Sequence, residues 1–347
     1  MIVFDPIITE LHKEYCERLP LDICKKADCQ FIGWAKNVRL SVFDFSRVIA
    51  LVQKNDDLFN LTKCHIDLDW DNMKPIVELL IVRGYMTLLK RNKFRVQGLP
   101  VPNSLKPPRG TIVLHDPSES YHQFPCSPSS RELRVKRILN DFPHVRSMTV
   151  GLFGDDDLVS LEIATRTPFD TVVFEIDEAV IRVIESTSSQ YGLDIRVIRR
   201  DFRLRTDEQP LCDTFIVDPP YTYAGLVTFL YHGLRTCFCQ DRIYLILNQM
   251  ILGRIGYARF MKALMRVGIY PTEIHQAFND YPLPSNYRET KNLYQWFNKF
   301  YELDISRMSS SCSSLFVLKS DGLIRDRVKK LFVDKIDIYD RYGDYSQ

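Results

Sequence analysis

Residues 148–248 decide the fold, through the apolar runs MTVGLF (148–153), TVVFEI (171–176), IRVI (195–198), TFIVD (214–218) and RIYLILN (242–248). A sixth run, SSLFVLK, follows at 313–319, and stretches with helical spacing lie between the runs, for example at 178–192 and 257–268. Continuous apolar strands that alternate with helices are typical of a parallel sheet buried on both faces. The sequence therefore predicts an α/β domain with a doubly wound sheet over residues 131–320.

The first hundred residues predict a separate small domain. Helical spacing at 46–53 and 74–84 is followed by a hairpin pattern at 85–97, with its turn at Arg91 and Asn92. This order indicates a winged-helix-like domain over 1–100. Such a domain binds DNA or serves in packing and dimerisation, and its 15 basic against 13 acidic residues favour the packing interpretation.

Two irregular segments flank the α/β domain. Four prolines and two glycines in 98–112 predict a linker, and we assign 101–130 to a linker and entry segment. We assign residues 321–347 to a C-terminal tail, whose last stretch, VDKIDIYDRYGDYSQ (333–347), is acidic and tyrosine-rich and either frays or folds over a site.

Composition narrows the class of protein. The 347 residues carry a formal net charge of +2, so a nucleic-acid partner is unlikely on charge grounds. The chain has neither a run of eighteen apolar residues nor the apolar core of a signal peptide, so we expect a cytoplasmic protein without membrane contact. Nine cysteines without a CxxC pair predict reduced thiols, and Cys237 and Cys239 make a poor metal site, so no metal is expected.

Acidic residues follow four of the predicted strands. The carboxyl ends of parallel strands meet at one edge of the sheet, where ligands of such folds bind. Glu175 is placed to accept hydrogen bonds from ribose hydroxyls, and Asp201 to bond an adenine amino group, so the pattern predicts a nucleoside site. The alternative is a set of ordinary solvated loop acids. The strand-end residues are Gly154, Asp155, Asp156 and Asp157; Glu175 and Asp177; Asp201; and Asp218.

The tetrapeptide Asp218-Pro219-Pro220-Tyr221 is the sharpest short motif. Two prolines fix the backbone and remove two N–H donors, which leaves acceptors that suit a nitrogen bearing hydrogens. The same DPPY resembles the motif of amino-group methyltransferases with a Rossmann-like class I fold. Three consecutive aspartates after the first strand, however, would repel the carboxylate of S-adenosylmethionine. A donor with a free ammonium and no carboxylate, or an acceptor with several ammonium groups, removes that conflict.

Several ordered motifs together resemble the branched-chain polyamine synthases, also called N4-bis(aminopropyl)spermidine synthases. They are GDDDLVSLEIA (154–164), FEIDE (174–178), the DPP of 218–220 and FNDY (278–281), with YHQFPCSPSSRELRVKRI (121–138) upstream. The resemblance implies transfer of an aminopropyl group from decarboxylated S-adenosylmethionine to a polyamine nitrogen. It also implies a homodimer or larger homo-oligomer.

Roles for individual residues follow as hypotheses. Asp177 is the candidate base and Asp218 orients the attacking nitrogen, whereas Gly154, the three aspartates, Glu175 and Asp201 bind the donor. His122, His232 and His275 are the other candidate bases. The candidate substrate-binding residues are Pro219, Pro220, Tyr221, Gln123, Phe278, Asn279 and Tyr281.

Three functions therefore stay open. The first is aminopropyl transfer to a spermidine-like acceptor with release of methylthioadenosine. The second is methylation of amino groups of nucleic acid or protein by S-adenosylmethionine. The third is a DNA-binding regulator that senses a nucleoside or polyamine, for which a steep salt dependence of DNA affinity is required.

Overall fold

The computed structural model describes residues 2–19, 40–63, 70–110, 112–113, 117–118, 123–205, 210–238, 241–282 and 309–320, with five isolated residues at 292, 295, 327, 328 and 331. The chain divides into two compact units. One unit comprises Met1–Ile2, Leu105–Lys136 and Ser147–Gln347, and the other comprises Val3–Ser104 and Arg137–Arg146. The candidate acids all belong to the first of these units.

The smaller unit is mainly helical. Its helices are α1 (Pro6–Arg18), α2 (Val42–Lys54), α3 (Leu58–Lys63) and α4 (Trp70–Val82), and the short strands β1 (Val3–Phe4) and β4 (Val145–Ser147) pair with each other. In α2, Phe45, Val48, Ile49 and Val52 are buried at helical spacing, so one stripe of this helix faces the core. Both predicted helices are therefore confirmed, within α2 and α4.

The predicted hairpin is also present. Strands β2 (Met86–Leu88) and β3 (Phe94–Val96) pair antiparallel. Arg91 and Asn92 both have positive φ, 58° and 61°, which is the backbone of a tight two-residue hairpin turn. The helices and hairpin occur in the expected order, and the winged-helix assignment and the boundary at residue 100 stay predictions.

The larger unit holds a seven-stranded sheet in the order β10-β11-β9-β8-β5-β6-β7. Helices α5 (Pro128–Asp141), α6 (Val159–Arg166), α7 (Glu178–Tyr191), α8 (Tyr223–Thr236) and α9 (Gln249–Arg266) accompany it. The strands are β5 (Thr149–Phe153), β6 (Asp170–Glu175), β7 (Ile195–Arg199), β8 (Thr214–Val217), β9 (Ile243–Leu247), β10 (Ile269–Pro282) and β11 (Ser309–Ser320). All six apolar runs of the sequence are strands of this sheet.

The sheet departs from the sequence prediction on one side. Strands β5 to β9 pair parallel, but β11 runs antiparallel to both β9 and β10, so the expectation of a wholly parallel sheet is wrong there. The edge strand β10 was not predicted. Most of its residues are exposed or only partly buried, because one edge has no neighbouring strand among the described residues, and it therefore lacks an apolar run.

The strand order creates a crevice beside β5. From β5 the chain winds outward through β6 and β7, then returns to the other side of β5 to form β8. Such a reversal leaves a crevice outside the carboxyl ends of β5 and β8, where ligands of open α/β sheets bind. The acidic loops after β5, β6 and β8 thus lie at the switch point of the sheet.

Within the described residues, no helix is both long and apolar enough to cross a bilayer.

Packing between α8 and β8 gives a test of this core. A Cβ added at Gly233 would stand 2.3 Å from the ring of Phe215, so we expect Gly233→Ala to lower the free energy of unfolding by about 1–3 kcal/mol. Gly256→Ala in α9 is the control, because its Cβ would meet only the end of the flexible Leu252 side chain, at 3.0 Å. Urea unfolding of both variants measures the difference, and equal losses would contradict the packing argument.

Candidate active site

The loops after β5, β6 and β8 bring the predicted acids together. The backbone N–H of Asp155 donates to Glu175 Oε2 at 2.9 Å. Asp157 and Asp218 share the guanidinium of Arg134, at 2.5 and 2.8 Å. Glu175, Asp157 and Asp218 all act electrostatically on Asp156. The structure therefore gathers the acids of three strand ends into one cluster.

Backbone N–H groups hold the carboxylates of Asp155 and Glu175. Gly154 adopts a φ of +73°, which favours glycine, and directs the chain sharply out of β5. The carboxylate of Asp155 then accepts the N–H groups of Val159 and Ser160 at the start of α6, at 2.8 and 3.3 Å. Glu175 accepts three backbone N–H groups, those of Asp155, Ile176 and Asp177. These two acids thus stabilise the loops as well as lining the crevice.

Asp177 begins α7 and connects it to a distant loop. Its Oδ1 accepts the N–H of Ala179 at 2.8 Å, as an N-cap residue does, and its Oδ2 accepts Nε2 of Gln123 at 2.8 Å. The Gln123 amide is itself oriented, since its Oε1 accepts the N–H of Ser118 at 2.7 Å. Gln123 and Asp177 therefore form one buried pair at this end of the sheet.

Arg134, which the sequence analysis did not select, is the cation of the cluster. It lies in α5 with only 2% of its surface exposed. Its guanidinium donates to Asp157, Asp218, Asn279 Oδ1 and the Tyr281 hydroxyl. The sequence did contain one indication of its burial, namely helical spacing: Arg131, Arg134 and Ile138 lie on one stripe of α5, and all three are buried. A buried arginine stripe in a chain with so many strand-end acids predicts an internal ion pair.

The DPPY loop surrounds Asp218 with donors. Tyr221 donates to Asp218 Oδ1 at 3.0 Å, while Oδ2 accepts the hydroxyl of Tyr281 at 2.7 Å in addition to Arg134. Pro220 offers its carbonyl to Thr222, which caps α8. Together with buried Pro219, these contacts fix the loop, and Asp218 keeps one open acceptor position on Oδ1.

The FNDY segment lies in β10. Asn279 and Tyr281 contact Arg134, whereas Phe278 contacts His275. Asn279 is buried, with Oδ1 on Arg134 and Nδ2 donating to Ser313 of β11 at 2.9 Å. The Tyr281 hydroxyl also meets Ser313, at 3.0 Å. Phe278 is partly buried and its ring contacts His275. Asn279 and Tyr281 are thus joined to the acid cluster, and Ser313 is a further residue that the sequence analysis missed.

Asp201 lies apart from these contacts. Its carboxylate forms a two-pronged ion pair with Arg203 at 2.9 and 2.7 Å, and the Arg203 side chain is half exposed. This contact lowers the pKa of Asp201 from its ordinary value. An adenine amino group would thus meet an acid already engaged by Arg203.

Among the candidate histidines, His122 lies outside the described residues. His232 lies in α8, where Nε2 donates to the carbonyl of Phe202 at 2.8 Å and burial lowers its pKa to about 4. His275 pairs with Glu273 in β10. The described contacts of these two histidines involve none of the clustered acids, and Asp177 stays the candidate base.

Burial dominates the electrostatics of the cluster. It raises the pKa of Asp155 to about 8 and that of Asp156 well above its ordinary value. Burial also raises the pKa of Glu175 and of Asp218, where Arg134 opposes the change. Asp156 is only half buried and has no hydrogen-bond partner in the described part of the chain. It is therefore the acid best placed to receive a cation.

No cluster of histidine, cysteine and carboxylate side chains within the described ranges has the arrangement of a metal site. The expectation of a metal-free site stays a prediction.

The raised pKa of Asp155 predicts how stability changes with pH. Between about pH 4 and 8 folded Asp155 retains a proton that the unfolded chain releases. Its contribution to stability is therefore lost as the pH rises, by up to about 1.4 kcal/mol per pH unit. Asp155→Asn keeps an acceptor oxygen without titrating, so we expect its stability relative to wild type to increase from pH 5.5 to 7.5. Urea unfolding at both pH values measures this difference, and a constant difference would contradict the assignment.

Comparisons with known proteins point to one family. The family model of the branched-chain polyamine synthase A C-terminal domain matches residues 114–322. An N(4)-bis(aminopropyl)spermidine synthase of Thermococcus kodakarensis is 26% identical over 179 residues, covering 49% of this chain and 50% of that protein. An uncharacterised protein of Methanocaldococcus jannaschii is 33% identical over 131 residues, covering 37% of this chain and 33% of that protein. The chain thus spans half or less of the length of these curated relatives.

A solved structure shares the fold. The branched-chain polyamine synthase of Thermus thermophilus, in complex with N4-aminopropylspermidine and 5'-methylthioadenosine, is 18% identical with a TM-score of 0.53. The match covers 95% of this chain and 98% of that one. It supports the Rossmann-like α/β architecture. Because the matching family model takes in every acid of the cluster, the chain belongs to the family of the branched-chain polyamine synthase A C-terminal domain.

Proposed function

We propose that this protein is an aminopropyltransferase of polyamine biosynthesis. It transfers the aminopropyl group of decarboxylated S-adenosylmethionine to a nitrogen of a spermidine-like polyamine, and methylthioadenosine leaves. The observation that carries the proposal is the acid cluster at the switch point of the sheet, where one buried arginine faces many carboxylates. The Thermus relative, which binds an aminopropylated spermidine and methylthioadenosine, supports the same chemistry.

The charge of the crevice favours a donor without a carboxylate. Two like charges 4 Å apart repel by about 1 kcal/mol in water and by about 4 kcal/mol near a protein surface. A carboxylate of intact S-adenosylmethionine placed beside Asp156 would meet several such repulsions, because Asp157, Glu175 and Asp218 also act on this position. The ammonium of the decarboxylated donor is attracted by the same field.

The nucleoside half of the donor is assigned to the loops after β5, β6 and β7. Glu175 keeps one open acceptor position on Oε2 beside its three backbone donors, so it can accept one ribose hydroxyl. Asp201 contacts the adenine amino group if Arg203 shares or releases its carboxylate. Gly154 lets the backbone pass close to the nucleoside.

The reaction is an in-line displacement. The lone pair of a neutral amine nitrogen forms a C–N bond with the propyl carbon beside the sulfonium, and the C–S bond breaks with its electron pair on sulfur. The amine then loses a proton to a base. Because the sulfonium is already activated, the protein chiefly positions the reactants and accepts the proton.

Asp177 and Asp218 have different roles at the attacking nitrogen. Each oxygen of Asp177 carries one hydrogen bond, which leaves one open acceptor position on each, so it can accept a proton. Asp218 is held by three donors and orients the nitrogen through its remaining position. Asp156 receives an ammonium group, and Tyr221, Tyr281 and Phe278 line the acceptor channel with Pro219 and Pro220. Asn279 belongs to the same side of the channel, because its Oδ1 accepts a hydrogen bond from Arg134.

Methyl transfer to an amino group is the second candidate, favoured by the DPPY motif. Incubation of the protein with spermidine and either donor, followed by mass analysis, separates the two. We expect a gain of one or more aminopropyl units from the decarboxylated donor. A gain of a methyl group from intact S-adenosylmethionine would overturn the proposal. We also expect a homodimer located in the cytoplasm, which light scattering and fractionation can test.

The base assignment gives a further prediction. Asp177→Asn keeps the acceptor for Ala179 but cannot take a proton, so we expect turnover to fall by about 100-fold or more while methylthioadenosine binding persists. Asp156→Asn is the matched variant, which should chiefly weaken polyamine binding, most strongly at low salt. Near-normal turnover of Asp177→Asn with a collapse of Asp156→Asn would transfer the base role to Asp156.

A further inference from the structure

We propose that Arg134 is the positioning residue of this reaction, because its buried guanidinium fixes Asp157 and Asp218 and offsets part of their charge, which favours an uncharged amine nitrogen at Asp218. This inference rests on the proposed function and adds to it a residue that selects the protonation state of the acceptor.

The planar guanidinium of Arg134 donates hydrogen bonds to several side chains in fixed directions. Nη1 donates to Asp157 Oδ2 at 2.5 Å and Nη2 to Asp218 Oδ2 at 2.8 Å. Nε donates to Asn279 Oδ1 at 2.7 Å, and Nη2 also reaches the Tyr281 hydroxyl at 3.1 Å. A planar guanidinium holds two carboxylates in fixed directions, which the point charge of lysine cannot do. The loops after β5 and β8 are thereby tied to one side chain of α5.

The contacts of Asp157 leave little room for a ligand. Its Oδ1 accepts the backbone N–H of Cys126 and its Oδ2 accepts Arg134. Its side chain is almost fully buried. Asp157 is therefore engaged within the protein, and the ammonium groups of a polyamine are left to half-buried Asp156.

The charge beside Asp218 decides which form of the amine can approach. An ammonium at the open position of Oδ1 would lie a few ångströms from the guanidinium on Oδ2, and burial strengthens that repulsion. A neutral amine suffers no such repulsion and donates a hydrogen bond to Oδ1. Displacement at carbon requires this neutral form, because only it has a free lone pair. Arg134 thus favours the nucleophilic state of the acceptor.

The titratable groups that face this pair come from several elements. Burial raises the pKa of Asp218, and Arg134 and hydrogen bonds from the two tyrosines oppose this rise. Removing Arg134 therefore raises the pKa of Asp218 further. The groups around Arg134 and Asp218 are Cys126, Asp156, Asp157, Tyr221 and Tyr281.

The test compares four variants of the full chain. Arg134→Gln removes the charge, Arg134→Lys keeps the charge without the planar guanidinium, and Asn279→Ala loosens the guanidinium while leaving its charge. Arg131→Gln is the matched control, since Arg131 lies one turn earlier in α5, is equally buried, and has Glu162 as its ion-pair neighbour. Steady-state kinetics with decarboxylated donor and spermidine, calorimetric spermidine binding from pH 5 to 9, and thermal unfolding are measured for each.

We expect Arg134→Gln to lower kcat by about 100-fold or more, as misplacement of reacting groups does. Its spermidine affinity should be equal to or tighter than that of wild type, and the acid-side midpoint of kcat should move to higher pH, because a bound amine without the guanidinium beside it keeps its proton more readily. Arg134→Lys and Asn279→Ala should lose kcat without moving this midpoint. Arg131→Gln should retain most of the wild-type kcat.

Parallel loss of kcat and spermidine affinity in Arg134→Gln, with no shift in the midpoint, would overturn the inference, and so would turnover close to that of the control. Failure of the proposed function has a different signature, namely a wild-type protein that forms no aminopropylated product. In that case spermidine affinity alone decides on Arg134: equal or tighter binding by Arg134→Gln supports the inference, and weaker binding overturns it. Absence of spermidine binding in wild type would overturn both proposals.

Discussion

The ion pair of Arg134 with Asp157 and Asp218 is the contact on which the site depends. It joins a helix that precedes the sheet to the two loops on either side of the switch point. A buried carboxylate without a partner costs several kcal/mol or stays protonated. The guanidinium therefore gives two strand-end acids a common partner, and its link to Asn279 brings the edge strand β10 into the same network.

The other acids are stabilised differently. Glu175, Asp155 and Asp177 accept backbone N–H groups at loops and helix N-termini, where negative charge is favourable. Each therefore has a structural role in the ligand-free chain. Asp156 lacks such a hydrogen bond within the described residues, and burial, together with the neighbouring acids, raises its pKa. The cluster thus combines acids that backbone donors or Arg134 already engage with Asp156, which is left to receive a cation.

Sequence patterns predicted the sheet well because burial on both faces leaves continuous apolar runs. They missed β10, whose exposed edge interrupts any apolar run, and the reversed direction of β11, which no local pattern records. At the site, strand-end acids such as Glu175 and Asp218 were predictable because parallel strands end at one edge. Helical spacing could have marked Arg134 as buried, but its partners were not predictable, because only tertiary contact pairs this helix residue with acids 23 and 84 residues further on.

The DPPY motif does not by itself distinguish methyl from aminopropyl transfer. Stacking on a planar base uses the face of a tyrosine ring and places no demand on its hydroxyl. In this chain the Tyr221 hydroxyl donates to Asp218 and meets that of Tyr281 at 3.1 Å, so the ring is tied into the charged network. A hydroxyl held in this way shapes a polar wall beside Asp218. The surroundings of the tetrapeptide, rather than its four residues, therefore favour a flexible, positively charged amine over a flat base.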